Sequence, residues 1–160
     1  MQWMRRRDRV ARELRVAAYA VCIQEEKILL ARFVGRSGKV WTLPGGGIDH
    51  GEDPYFAAIR EVEEETGYHV VIESLLGVDS ILRRYPRGRG VEADHHAVRV
   101  FYTARVVNGA LRHEIGGSTD QAAWIDLNRV DALDRGDLVD VALKLERTRP
   151  PAGRVDREHS

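Results

Sequence analysis

Apolar and polar positions change rhythm several times along the chain. Val16–Ile23 (VAAYAVCI) is apolar at nearly every position, as in a strand covered on both faces. Gln24–Lys27 turns the chain, and Ile28–Phe33 (ILLARF) returns as a second strand. Gly35 to Lys39 reads as a loop leading into Trp41–Gly47 (WTLPGGG). From Pro54 to Thr66 the period becomes that of a helix. Asp53 stands as its N-cap, Pro54 at its first position and Gly67 at its stop. Strand character resumes over Val70–Leu82, gives way to a polar stretch at 83–96 (RRYPRGRGVEADHH) that predicts a long loop, and returns at Ala97–Val107. Asn108-Gly109 is a two-residue hairpin signal, with Ala110–Ile115 as the return strand. A loop at 116–121, a short strand at Ala122–Leu127 and an amphipathic helix at Asp137–Arg147 complete the pattern. Strands dominate, with helices inserted between them. This predicts an α+β fold, an α/β/α sandwich around one mixed sheet. The expected folded unit is 14–147, between a flexible basic N-terminus (1–13) and a flexible tail (148–160).

Composition narrows the class. The 160 residues are enough for one domain with a real core. Basic and acidic residues balance at 25 each, so neither nucleic acid nor an anionic membrane is the expected partner. No apolar run approaches a membrane span, and no apolar core follows the basic N-terminus as in a secretory peptide. The single cysteine, Cys22, lies in an apolar run and reads as a buried small hydrophobe. A cytoplasmic protein is expected.

The helix raises the chemical question. Glu61, Glu63, Glu64 and Glu65 put four carboxylates within five residues. On a helical wheel Tyr55, Ile59, Val62 and Thr66 form the stripe expected to face the core. Glu61, Glu64 and Glu65 fall on the other side, with Ala57 on the same face one turn earlier. Like-charged neighbours at these spacings cost ~0.2–0.5 kcal/mol each, and no lysine relieves them. Converging carboxylates are what a hard divalent cation requires. Gly45-Gly46-Gly47, just upstream, allows close backbone approach to something bulky or anionic.

Taking Gly46, five residues, Glu52, seven residues, Arg60-Glu61-Val62, one residue, Glu64-Glu65, one residue and Gly67, this stretch resembles the Nudix box of the Nudix hydrolases. It departs only at Tyr68, where that family prefers an aliphatic residue. Similarity extends to the flanking segments and covers roughly Val16 to Arg147. The resemblance implies a Nudix-type sandwich and Mg²⁺- or Mn²⁺-dependent hydrolysis of a pyrophosphate linkage, in a nucleoside diphosphate derivative or a nucleotide. It implies Glu61, Glu64 and Glu65 as metal ligands, a backbone carbonyl from Gly46, and Glu52 with Arg60 as a supporting pair.

Other positions follow from the same resemblance. Glu64, with Glu61 beside it, is a candidate base, and Asp120 stands where relatives often carry a further acidic residue. His95 and His96 read as polar residues at a strand's start. Arg32 is a candidate for reaching a phosphate. In the arginine-rich stretch, Arg84 and Arg87, with Arg83 and Arg89, surround Tyr85; the tyrosine suits stacking on a base and the arginines suit phosphates. A small nucleotide is the expected substrate. The alternatives are an RNA 5′-pyrophosphohydrolase and a nucleotide sensor without catalysis, although sensors usually have eroded boxes and this one is intact. The oligomeric state stays open, with a homodimer as one possibility.

Overall fold

The computed structural model describes residues 10–88 and 90–156. Residues 1–9, which make up most of the expected basic N-terminus, lie outside the described residues, as do Arg89 and 157–160. Two four-stranded sheets carry the architecture. In the first, β1 (Ala11–Val21) lies between β5 (Gly45–Gly47) and β7 (Val91–Gly109), and β7 pairs in turn with β6 (Tyr68–Gly88). β1 and β7 run parallel, from Ala11 opposite Ala93 to Val21 opposite Thr103, and the other pairs are antiparallel. In the second, β3 (Lys27–Gly35) pairs antiparallel with β2 (Ile23–Gln24), β4 (Gly38–Thr42) and β8 (Thr119–Asp126). The expected turn over Gln24–Lys27 is made by Glu25 and Glu26, both left-handed. The segment Gly35 to Lys39 is tighter than the expected loop, because Gly38 and Lys39 already belong to β4.

A helix covers each face, which gives the α/β/α sandwich. Helix α1 (Pro54–Thr66) begins at Asp53, whose side chain accepts from the Tyr55 N–H at 2.8 Å, and ends at left-handed Gly67. Its buried face differs from the wheel. Ala57, Ala58, Val62, Glu65 and Thr66 are buried, while Tyr55 is 39% exposed. The alanines let the helix sit close on Ala18 of β1, so small residues define the contact and bring Glu65 inward with them. Beside them Val62 packs with Ala20, Cys22 and Leu29. On the opposite face, α2 (Asp137–Thr148) places Val139, Ala142 and Leu145 against Val21, Ile28, Leu30, Leu43, Leu76 and Phe101.

Two expectations are corrected. The polar stretch at 83–96 is not a loop: β6 runs to Gly88 and β7 starts at Val91, so it forms the end of a long hairpin. Arg84 pairs across strands with Asp94 at 2.7 Å and Arg87 with Glu13 of β1, and cross-strand pairs of this kind stabilise a sheet that water bathes. Ala110–Ile115 is not a return strand. After left-handed Gly109 the chain leaves the sheet and runs to α1, where the Arg112 N–H donates to the Thr66 carbonyl at 2.9 Å. Ala11–Glu13 belong to β1, and Gly153 docks on β6 by accepting the Val78 N–H at 2.9 Å, with Val155 packed against the core.

Candidate active site

The antiparallel pairing of β5 with β1 lays Gly45–Gly47 beside Ala17–Tyr19, and α1 approaches this glycine strand closely. A Cβ at Gly46 would stand 2.8 Å from Glu61 Oε1, so the carboxylate lies close against the glycine strand and would have to shift for any other residue there. Glu65 lies on the same side and accepts the Gly45 N–H at 3.0 Å. Glu61 and Glu65 together line one end of a cleft of about 600 Å³ between the two sheets. Tyr19, Ala17, Ala97 and Ile81 line it from the first sheet, Phe33 and Val40 from the second. Arg83, Arg135 and Asp137 stand on its lining as well.

Electrostatics at the glutamate end are unfavourable to the bare protein. Glu65 is 3% exposed. Burial pushes its carboxyl up to about 9, the Gly45 N–H opposes this, and the charges of Glu61, Glu114 and Glu64 add to the rise. Glu61 is also raised, chiefly by burial and despite Arg60, with Glu64 and Glu114 contributing. The donor set is oxygen only, and its carboxyls are raised chiefly by burial, a cost that a bound hard divalent cation would offset. Among the described residues no three His, Cys, Asp or Glu side chains stand around a common point as a finished metal shell. Glu64 is instead turned onto Arg60, at 3.2 Å.

Arg60 is the hub of this end. Its guanidinium donates to Glu52 Oε1 at 3.0 Å, to Glu61 Oε1 at 3.1 Å and to the Gly47 carbonyl at 3.3 Å. The hydrogen bond to Arg60 holds the Glu52 carboxyl below its ordinary range. The expected Glu52–Arg60 pair is therefore formed, and it ties the helix to the glycine strand.

Other predicted residues lie elsewhere. Asp120 accepts from Arg32 Nε at 2.9 Å and Lys39 Nζ at 2.7 Å, and these two bonds hold its carboxyl well below the usual range. Arg32 also lies over the Trp41 ring, and neither Arg32 nor Asp120 lines the cleft. The same holds for Arg84, Tyr85 and Arg87. Tyr85 donates to Glu13 at 2.6 Å, and the two arginines are paired as described above. Among the described arginines of that stretch, Arg83 faces the cleft, 3.5 Å from Asp137. His95 also lines it, beside Glu13.

Two features were not apparent in the sequence reading. Glu114 sits on the 110–118 segment, anchored by accepting from Thr119 N at 3.1 Å and Oγ1 at 2.6 Å. Neighbouring His113 Nδ1 accepts the Ala122 N–H at 3.0 Å, fixing the same segment on β8. Nothing in local pattern marks Glu114, because only the path of the chain brings its charge to α1. The second feature is Arg99 of β7, 2% exposed, which donates to Asp79 at 2.7 Å through both Nε and Nη2 and to Asp137 at 3.0 Å. It fixes the start of α2 to the first sheet at the cleft lining.

The fold and its cleft are thus an α/β/α sandwich with a glycine strand and a capped glutamate helix at one end of the cleft. The NUDIX domain profile matches residues 13–144, and the chain belongs to the Nudix family. An ADP-ribose pyrophosphatase of Methanocaldococcus jannaschii is 34% identical over 119 residues, 74% of this chain and 65% of that protein. The chain thus spans less than two thirds of that relative's length. Among solved structures, a NUDIX hydrolase from Nitrosomonas europaea superimposes with a TM-score of 0.66 at 24% identity, over 84% of this chain and 89% of that one. The NUDIX domain of Shewanella oneidensis NrtR, complexed with ADP ribose, gives 0.63 at 23%, over 92% and 94%. At such identities these structures establish the fold.

Proposed function

We propose that the chain is a divalent-cation-dependent hydrolase of the pyrophosphate linkage in a nucleoside diphosphate derivative, with ADP-ribose the leading substrate. The observation that carries the reading is the pair Glu61 and Glu65, under-compensated and side by side at the end of a ligand-sized cleft. The M. jannaschii relative supports the choice of ADP-ribose. Glu61, Glu64 and Glu65, with the Gly46 carbonyl, would hold Mg²⁺ or Mn²⁺. When bound, the cation neutralises phosphate charge and makes water more acidic. Arg60 keeps Glu61 and Glu64 oriented, and Glu52 keeps Arg60 in place. Glu64 is the carboxylate proposed to take the proton of the attacking water. Phe33, Val40, Ile81 and Ala97 offer the nucleoside apolar walls. The alternative of RNA 5′-end hydrolysis leans on the arginine-rich stretch, whose Arg84 and Arg87 are already paired with carboxylates.

The test is incubation with Mg²⁺ and a panel of ADP-ribose, a nucleoside triphosphate, a dinucleoside polyphosphate and a 5′-triphosphorylated RNA, with products identified by mass. The expected products are AMP and ribose 5-phosphate, lost with excess chelator and regained with Mg²⁺ or Mn²⁺. Turnover undiminished by chelator, or no cleavage of any panel member, would overturn the reading. Glu64→Gln is expected to lower kcat on the order of 10²–10⁴-fold while leaving the melting curve unchanged, since the side chain is half exposed.

A further inference from the structure

Arg15 is an exposed residue of β1 whose side chain belongs to the cleft lining, yet among the described residues it has no carboxylate partner. The other cleft arginines are all committed. Arg83 lies on Asp137, Arg99 on Asp79 and Asp137, and Arg135 on Asp131 and Asp140. The Arg15 guanidinium rests over Gly47 instead. A Cβ at that glycine would stand 3.1 Å from Nε and 3.3 Å from Nη2, so the guanidinium lies closely on the glycine strand. Its position is close to the glutamate end without being neutralised by it. Arg15, Tyr19, Glu61 and Glu65 all line the same cleft. An uncommitted guanidinium on the same cleft as a carboxylate pair, across a glycine strand from it, is an arrangement for two adjacent phosphates. One phosphate belongs to the glutamate end, and its neighbour lies within reach of the fork.

We infer that Arg15 binds the phosphate that departs when the pyrophosphate is cleaved. This rests on the hydrolase reading above. Water adds to one phosphorus and loses a proton to a carboxylate; the P–O bond to the bridging oxygen breaks, and that oxygen keeps the electron pair as part of the leaving phosphate. The guanidinium N–H groups meet the charge that builds there, so the bond they make is stronger in the transition state than before it. Arg15 therefore acts on kcat as well as on KM, and its planar fork makes lysine a poor replacement.

The experiment compares the parent, Arg15→Ala and Arg15→Lys. First, affinities for adenosine and for α,β-methylene-ADP, which resists cleavage, are measured by calorimetry in the presence of Mg²⁺. The alanine variant is expected to lose on the order of 10–100-fold for the diphosphate and nothing for adenosine, the range for a hydrogen bond to a charged group. Second, ADP-ribose kinetics are expected to show a fall in kcat for both variants, larger for alanine, partly restored in the alanine variant by added guanidinium ion. Parent-like diphosphate affinity and kcat in a folded Arg15→Ala protein would overturn the assignment. A parent that cleaves nothing on the panel defeats the hydrolase reading, and the binding comparison still decides whether Arg15 takes the phosphate.

Discussion

Glu65 occupies a position where an apolar side chain would pack, and its carboxyl is pushed up to about 9 by burial. The ordinary value is 4.5, so folding takes up a proton between the two. The stabilisation this proton brings is fully present below the unfolded value and is lost as pH rises toward 9. Denaturant midpoints of the metal-free parent should therefore fall from pH 5 to pH 9, and those of Glu65→Gln should fall less. At pH 7 the parent should gain ~2.7 kcal/mol from Mg²⁺ at a hundred times its dissociation constant, and Glu65→Gln much less. Equal gains would take Glu65 out of the cation site. Spacing made Glu61, Glu64, Glu65 and the Glu52–Arg60 pair legible in the sequence, since one helix and its approach carry them all. It did not reveal that Glu65 points inward. A wheel weighs Tyr55 and Ile59 by hydrophobicity, whereas Ala57 and Ala58 win the contact by being small. Glu114 and Arg15 were illegible for a different reason: each is a lone charge that acquires meaning from a strand or segment remote in the chain. Cys22 kept its plain reading, with the thiol pushed up to about 12 by burial, and it should resist thiol reagents until the protein unfolds.

The long β6–β7 hairpin shows why charged stretches mislead. Alternation runs through both strands of the hairpin, with Ile81, Arg83, His95 and Ala97 lining the cleft, but the charged residues of 83–96 read as a solvated loop. Pairing partners such as Asp94 for Arg84 are visible only once the register is known. The same hairpin carries Arg99, which joins β7 to β6 and to the start of α2 through Asp79 and Asp137. Removing one member of such a group leaves a buried charge without compensation. Arg99→Ala should lower unfolding free energy by about 3–5 kcal/mol, measured by urea denaturation. A loss below about 1 kcal/mol would mean that water enters and replaces the guanidinium.

The sandwich closes on itself at a point far from the cleft, where Gly77 of β6 meets Gly153. A Cβ at Gly77 would stand 2.1 Å from the Gly153 carbonyl oxygen, so the docked tail imposes glycine on the sheet. Gly77→Ala should cost on the order of 1–3 kcal/mol in the full chain and distinctly less in a chain ending at Pro150. A double-mutant cycle on four melting curves reads the difference, and an unchanged cost would assign Gly77 to the bulge at Leu75/Gly77 rather than to the tail. The parallel pairing of β1 with β7 has a different reach, in time rather than space. β1 meets residues 93–103, and the glycine strand that faces the glutamates hangs on β1. During synthesis α1 is therefore complete long before the strand that steadies its partner exists. Until 93–103 leave the ribosome, Ala17, Ala18, Ala20 and Val21 have no β7 beside them and are a surface for chaperones. Loop closure of this length should also dominate the refolding time. The glutamates are made early and assembled late.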